Sequence, residues 1–99
     1  ILEIYLKSAP QILKTIQDAE ESGDITALIS AAHNLKGTSA NVGASRIAQR
    51  ARLLELQATQ MSDLEITAEI SQLKEDLQQF GSLPELLKFM QAEGFESSD

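Results

Sequence analysis

The chain has 99 residues with no cysteine and one histidine, and its 8 Lys and Arg against 15 Asp and Glu give a formal net charge of −7. That length fits one domain around one core; disulfides and thiolate metal sites are excluded, and the acidic balance argues against nucleic acid or an anionic membrane as partner. No apolar run approaches the roughly 20 residues needed to cross a bilayer, no signal-peptide pattern is present, and the lack of cysteine suits the cytoplasm.

Gly and Pro fall only where breaks are expected and β-branched alternation is missing, so every element reads as helix. A short first helix is predicted over residues 2–7, ending near Ser8-Ala9-Pro10, with Ser8 as cap and Pro10 in the first turn of a second helix. That second helix turns Ile12, Leu13, Ile16 and Ala19 inward and stops at Ser22-Gly23. Asp24 caps a third helix, which carries His33 and closes around Asn41-Val42-Gly43, where Gly43 suits a left-handed terminating residue. A fourth helix over 45–60 uses Ile47, Ala51, Leu54 and Ala58. Ser62-Asp63-Leu64-Glu65 is a capping box that opens a fifth helix with the stripe Ile66, Ile70, Leu73, Leu77 and Phe80. Gly81 is expected to break it, and a second capping box at Ser82-Leu83-Pro84-Glu85 to start a last short helix reaching about Ala92.

The expected fold is all-α: an antiparallel four-helix bundle with a short extra N-terminal helix and a short C-terminal helix. One domain is expected over 1–95, with 96–99 as a frayed tail. A start at Ile1 rather than Met is expected of a piece of a longer protein.

His33 lies in Ala32-His33-Asn34-Leu35-Lys36-Gly37-Thr38-Ser39-Ala40. At about 100° per residue, Leu28, Ala32, Leu35, Ser39 and Val42 form the core stripe, and His33 falls about 140° from its centre, on the solvent side. Thr26, Ile29, Ser30, Gly37 and Ala40 share that side and form a low platform around the ring. Lys36 lies between His33 and the core edge, close enough to set its ammonium beside the imidazole. A mid-helix glycine costs about 1 kcal/mol relative to Ala, so Gly37 needs a reason. Close approach of a visiting surface is one reason; room for a neighbouring helix is the bland one. Between residues 25 and 54 there is no acidic residue, while Lys36, Arg46, Arg50 and Arg52 all fall inside. That basic island suits a phosphoryl group or an acidic partner, although any single Arg in it reads better as a solvated side chain.

The run His33-Asn34-Leu35-Lys36-Gly37-Thr38-Ser39-Ala40, continued by Asn41-Val42-Gly43-Ala44 and by Arg52-Leu53-Leu54-Glu55, resembles the histidine-containing phosphotransfer (HPt) domains of multistep two-component signalling. Tyr5-Leu6 followed by Ala9-Pro10, and Gly23-Asp24 before the His helix, resemble that family too. The likeness covers roughly residues 1 to 80 and fits less well after Gly81.

The resemblance implies that His33 accepts a phosphoryl group from a receiver-domain aspartate and passes it to another receiver. It implies that Lys36 stabilises that group and that Gly37 leaves space for the receiver. In the family a polar residue on the next helix, often Gln, accepts a hydrogen bond from the other ring nitrogen. Glu55 stands at that position here, and Gln57, about 200° away, falls on the opposite flank. Glu55 would hold Nδ1–H and leave Nε2 free to attack; a solvated acid is the alternative.

No nucleotide motif, Gly-rich phosphate loop or metal-binding carboxylate cluster accompanies His33. The expectation is therefore a carrier rather than an enzyme, with no cofactor of its own, Mg²⁺ supplied only by the receiver, and a monomeric state. It would be cytoplasmic, either free-standing or as the C-terminal module of a membrane-anchored hybrid sensor kinase. A histidine-kinase dimerisation domain fits poorly, because Asn34 rather than an acid follows the histidine and no Pro occurs between Pro10 and Pro84. A chemotaxis-kinase-type phosphotransfer domain and a four-helix interaction module without chemistry are the remaining alternatives.

Overall fold

The computed structural model describes residues 2–82 as four helices: α1 (Leu2–Ser22), α2 (Ile25–Asn41), α3 (Ser45–Gln57) and α4 (Asp63–Ser82), with a single 3₁₀ turn (Ala58–Gln60) after α3. Each turn is written in local chemistry. Gly23 and Gly43 adopt φ of 74° and 76°, and in each case two backbone N–H groups fold back onto the last carbonyls of the helix. At the end of α2 these are Gly43 N–H to Ala40 and Ala44 N–H to Ser39; at the end of α1, Gly23 N–H to Glu20 and Asp24 N–H to Ala19. This is the left-handed closure that only glycine adopts without strain. Asp24 then starts α2 by accepting the Ala27 N–H at 3.1 Å. Ser62 and Glu65 exchange reciprocal bonds of 3.1 and 2.8 Å at the start of α4, completing the predicted capping box.

Short turns force consecutive helices to run antiparallel, and the cross-helix pairs confirm that register: Tyr5 meets Ser39, His33 meets Glu55, and Arg50 meets Asp76. Packing runs α1–α2–α3–α4 and back to α1, which makes a closed four-helix bundle. Its core is one cluster that includes Leu13, Ile16, Leu28, Leu35, Ile47, Leu54, Ile66, Ile70 and Leu73. Leu77, Phe80, Ile12 and Val42 pack against it half-buried.

Two predicted breaks are absent. No separate N-terminal helix exists, because α1 runs unbroken through Ser8, Ala9 and Pro10. Proline inside a helix costs about 3 kcal/mol. Here its ring is exposed, while Leu2, Tyr5, Ala9, Leu13, Ile16 and Ala19 are buried in one stripe spanning both sides of it. Each large apolar side chain so buried returns about 1.5–3 kcal/mol, so the continuous stripe outweighs the lost bond. Gly81 likewise does not end α4, which reaches Ser82. The short C-terminal helix predicted up to Ala92, and the tail, lie outside the described residues.

Candidate functional site

The site sits on the open side of the α2–α3 pair. Leu28, Ala32, Leu35 and Ser39 are buried on α2, and that fixes the helix's rotation about its axis. His33 is consequently turned outward, with its side chain 66 % exposed. Thr26, Ser30, Gly37 and Ala40 are exposed around it, and Ile29 is half-buried. A Cβ built at Gly37 would meet nothing within 4 Å, so no neighbouring helix explains the glycine. It leaves a bare spot one turn from the ring.

From α3, Glu55 reaches across. Its Oε2 lies 2.6 Å from His33 Nδ1, while Gln57 is exposed elsewhere on the helix. Its Oε1 lies 2.8 Å from Lys36 Nζ. The Lys36 ammonium is thus in close ion-pair contact with this buried oxygen. The Lys36 ammonium first, and the His33 hydrogen bond second, hold the Glu55 carboxyl below the usual carboxylate range, against an opposing desolvation. An ionised carboxylate has no proton to give, so Nδ1 carries the hydrogen and donates it. In the neutral ring the lone pair is then on Nε2, which has no hydrogen-bond partner among the described residues. A nucleophilic nitrogen faces solvent, oriented from behind by a carboxylate that is itself anchored to a lysine.

The sequence pairs Lys36 with an incoming phosphoryl group and Glu55 with His33; the structure adds the pairing of Lys36 with Glu55. The i, i+3 spacing of His33 and Lys36 carried the signal, since two side chains on one helix face can share one carboxylate opposite. The basic island also divides. Arg50 is not a solvated side chain: its Nε donates to Asp76 at 2.8 Å and its second nitrogen to Glu69 at 3.2 Å. Burial works against that charge, but the two carboxylates outweigh it and raise the guanidinium above its usual range. Asp76 is almost wholly buried and also accepts from Gln72, so this cluster clasps α3 to α4. A second buried bond, Tyr5 hydroxyl to Ser39 Oγ at 2.8 Å, ties α1 to the inner face of the helix that bears His33. An edge-to-face contact with Phe80 steadies the Tyr5 ring.

Among the described residues no group of three or more His, Cys, Asp or Glu side chains is placed to hold a metal ion, and no helix is long and apolar enough to cross a membrane. No curated protein and no solved structure matches the chain. A family model described as Hpt domain matches residues 1–83, which takes in all four helices and every residue of the site. The chain belongs to the Hpt domain family, and with it to the phosphotransfer steps of two-component phosphorelays.

Proposed function

We propose that this domain is a phosphorelay intermediary that takes a phosphoryl group onto His33 Nε2 from the aspartyl phosphate of one receiver domain and yields it to the aspartate of another. The observation that carries this reading is the exposed Nε2 of a ring held through Nδ1 by Glu55. In the forward step the Nε2 lone pair attacks phosphorus in line, the P–O bond to the receiver aspartate breaks, and that carboxylate leaves with the bonding pair. The Nδ1 proton stays between the ring and Glu55 throughout, so the positive charge that develops on the imidazole meets a carboxylate already in place. The reverse step, toward a second aspartate, uses the same geometry.

Lys36 stands close enough to pair with the new phosphoryl oxygens, and Gly37 with Thr26, Ile29, Ser30 and Ala40 supplies the low surface on which the receiver settles. Magnesium and the acidic pocket belong to the receiver in this reading. The domain acts as a monomeric cytoplasmic carrier that leaves phosphorylation from ATP to others.

The test is phosphoryl transfer from phosphorylated receivers to the wild-type domain and to His33→Gln. Acid-labile, base-stable label on the wild type and none on the variant, with helicity and melting temperature nearly unchanged, is expected. Label on His33→Gln would refute the assignment. No label on the wild type, with binding and signalling output kept in full by His33→Gln, would instead favour an interaction module without chemistry.

A further inference from the structure

Four cations lie in the acid-free stretch of the sequence; the fold pairs two of them and turns a third, Arg46, away from the His33 face. Lys36 is paired with Glu55, Arg50 with Asp76 and Glu69, and Arg46 lies on the flank of α3 toward α4, in a cleft shared with Gln79 and Phe80. Arg52 is left. It is exposed and has no ion pair or hydrogen bond among the described residues. Three residues before Glu55 on α3, it stands one turn along the same flank, about 5–6 Å away at Cβ. Because α2 and α3 are antiparallel, one turn back along α3 from Glu55 corresponds to one turn forward along α2 from His33, which is the Lys36-Gly37 end of the site.

Leu56 shares Arg52's stripe at i+4 and is 60 % exposed. Among the described residues the other exposed large apolar side chains are Ile4 on α1 and Leu64 on α4. Leu56 is therefore the one on the α2–α3 face. Helix α2 has no acidic residue, and Glu55 is the only acid on α3. With Glu55 matched by Lys36, Arg52 is the one uncompensated charge on that face among the described residues, in a chain whose net charge is −7.

We propose that Arg52 and Leu56 form a second contact ridge that selects and orients the receiver, with Leu56 seated on an apolar part of its surface and Arg52 paired to a carboxylate at its edge. Charge complementarity supports that occupant. An acidic partner is repelled by the net charge of −7 and attracted at Arg52, so the potential favours the face that holds His33. The low platform of α2 then admits the partner's reactive aspartate, while the taller α3 ridge distinguishes one receiver from another. The proposal rests on the carrier reading above.

The test uses the full 99-residue chain and a panel of purified receiver domains charged on aspartate with acetyl phosphate. Transfer rates are measured against receiver concentration for wild type, Arg52→Glu, Leu56→Ala and, as a remote charge control, Lys74→Glu on α4. For Arg52→Glu the half-saturating receiver concentration should rise about tenfold at low salt, and the difference should shrink toward 1 M salt as screening shortens to roughly 3 Å. For Leu56→Ala it should rise about fivefold irrespective of salt, as expected for a lost apolar contact. In both variants the saturated rate should stay within about twofold, and Lys74→Glu should match wild type. Either ridge variant behaving as wild type, or losing saturated rate with half-saturation unchanged, would overturn the proposal while leaving the carrier reading standing. Wild-type protein that takes label from no receiver would sink both.

Discussion

Replacing Gly37 by alanine should make the free domain more stable. Glycine inside a helix is about 1 kcal/mol less favourable than alanine, through the backbone freedom it loses on folding. Position 37 lies in the body of α2, and a Cβ there meets no atom within 4 Å, so no clash and no repacking offset the gain. A stabilisation of about 0.5–1 kcal/mol follows, which for a domain of this size raises the melting temperature by roughly 2–8 °C. Thermal and urea melts followed by circular dichroism at the helical band measure both quantities. The companion variant is Gly37→Glu, which keeps the helix but projects a charged chain beside His33. Its transfer rate from receivers should drop about tenfold or more, through crowding and repulsion of the incoming acidic pocket. The pair of variants separates fold from function at one position. A Gly37→Ala protein that melts earlier than wild type would show that the glycine serves packing. Unchanged transfer in Gly37→Glu would remove this spot from the docking surface.

Tyr5→Phe should destabilise by about 1–2 kcal/mol, because it leaves Ser39 Oγ buried without its partner, and adding Ser39→Ala should recover part of that loss in a double-mutant cycle. Burial pushes the Tyr5 hydroxyl above its ordinary value of 10.0, with the Ser39 bond opposing. The stability tied to its neutral form is therefore complete below pH 10 and lost as pH rises through the higher folded value, so Tyr5→Phe should show a flatter alkaline limb in melts against pH. A Tyr5→Phe curve parallel to wild type above pH 10 would contradict this. Glu55→Gln probes the opposite limb. The carboxyl is held below its usual range by Lys36 and His33, so its contribution is present above the unfolded carboxylate range and fades as pH falls through the lowered folded value. The gap in melting temperature between wild type and Glu55→Gln should close in acid, and a gap that does not change with pH would mean the carboxylate is not paired as described.

Although the helix expected over 45–60 gives way to a 3₁₀ turn after Gln57, the chain read alone locates the helix starts around the site, the closure of α2 and the outward turn of His33. Those features follow from interactions a few residues long: the Asp24 cap, the glycine closures at 23 and 43, the Ser62–Glu65 box, and the 3.6-residue stripe that buries Leu28, Ala32, Leu35 and Ser39. Glu55 could be chosen over Gln57 because helical rotation puts the two on opposite flanks. Tertiary structure alone decided what lies between elements. Nothing local to residues 8–10 reveals that a stripe on both sides of Pro10 has a common surface to bury against, so the helix runs on through a residue that would end it in isolation. Nor does spacing along the chain disclose that Lys36 shares Glu55 with His33, that Arg50 is neutralised by Asp76 26 residues away, or that Tyr5 reaches Ser39 across 34. Charges and hydroxyls bind whatever partner the packed core brings within reach. Apolar periodicity fixes each helix's inward face, but the polar pairing between faces is set only when the helices meet.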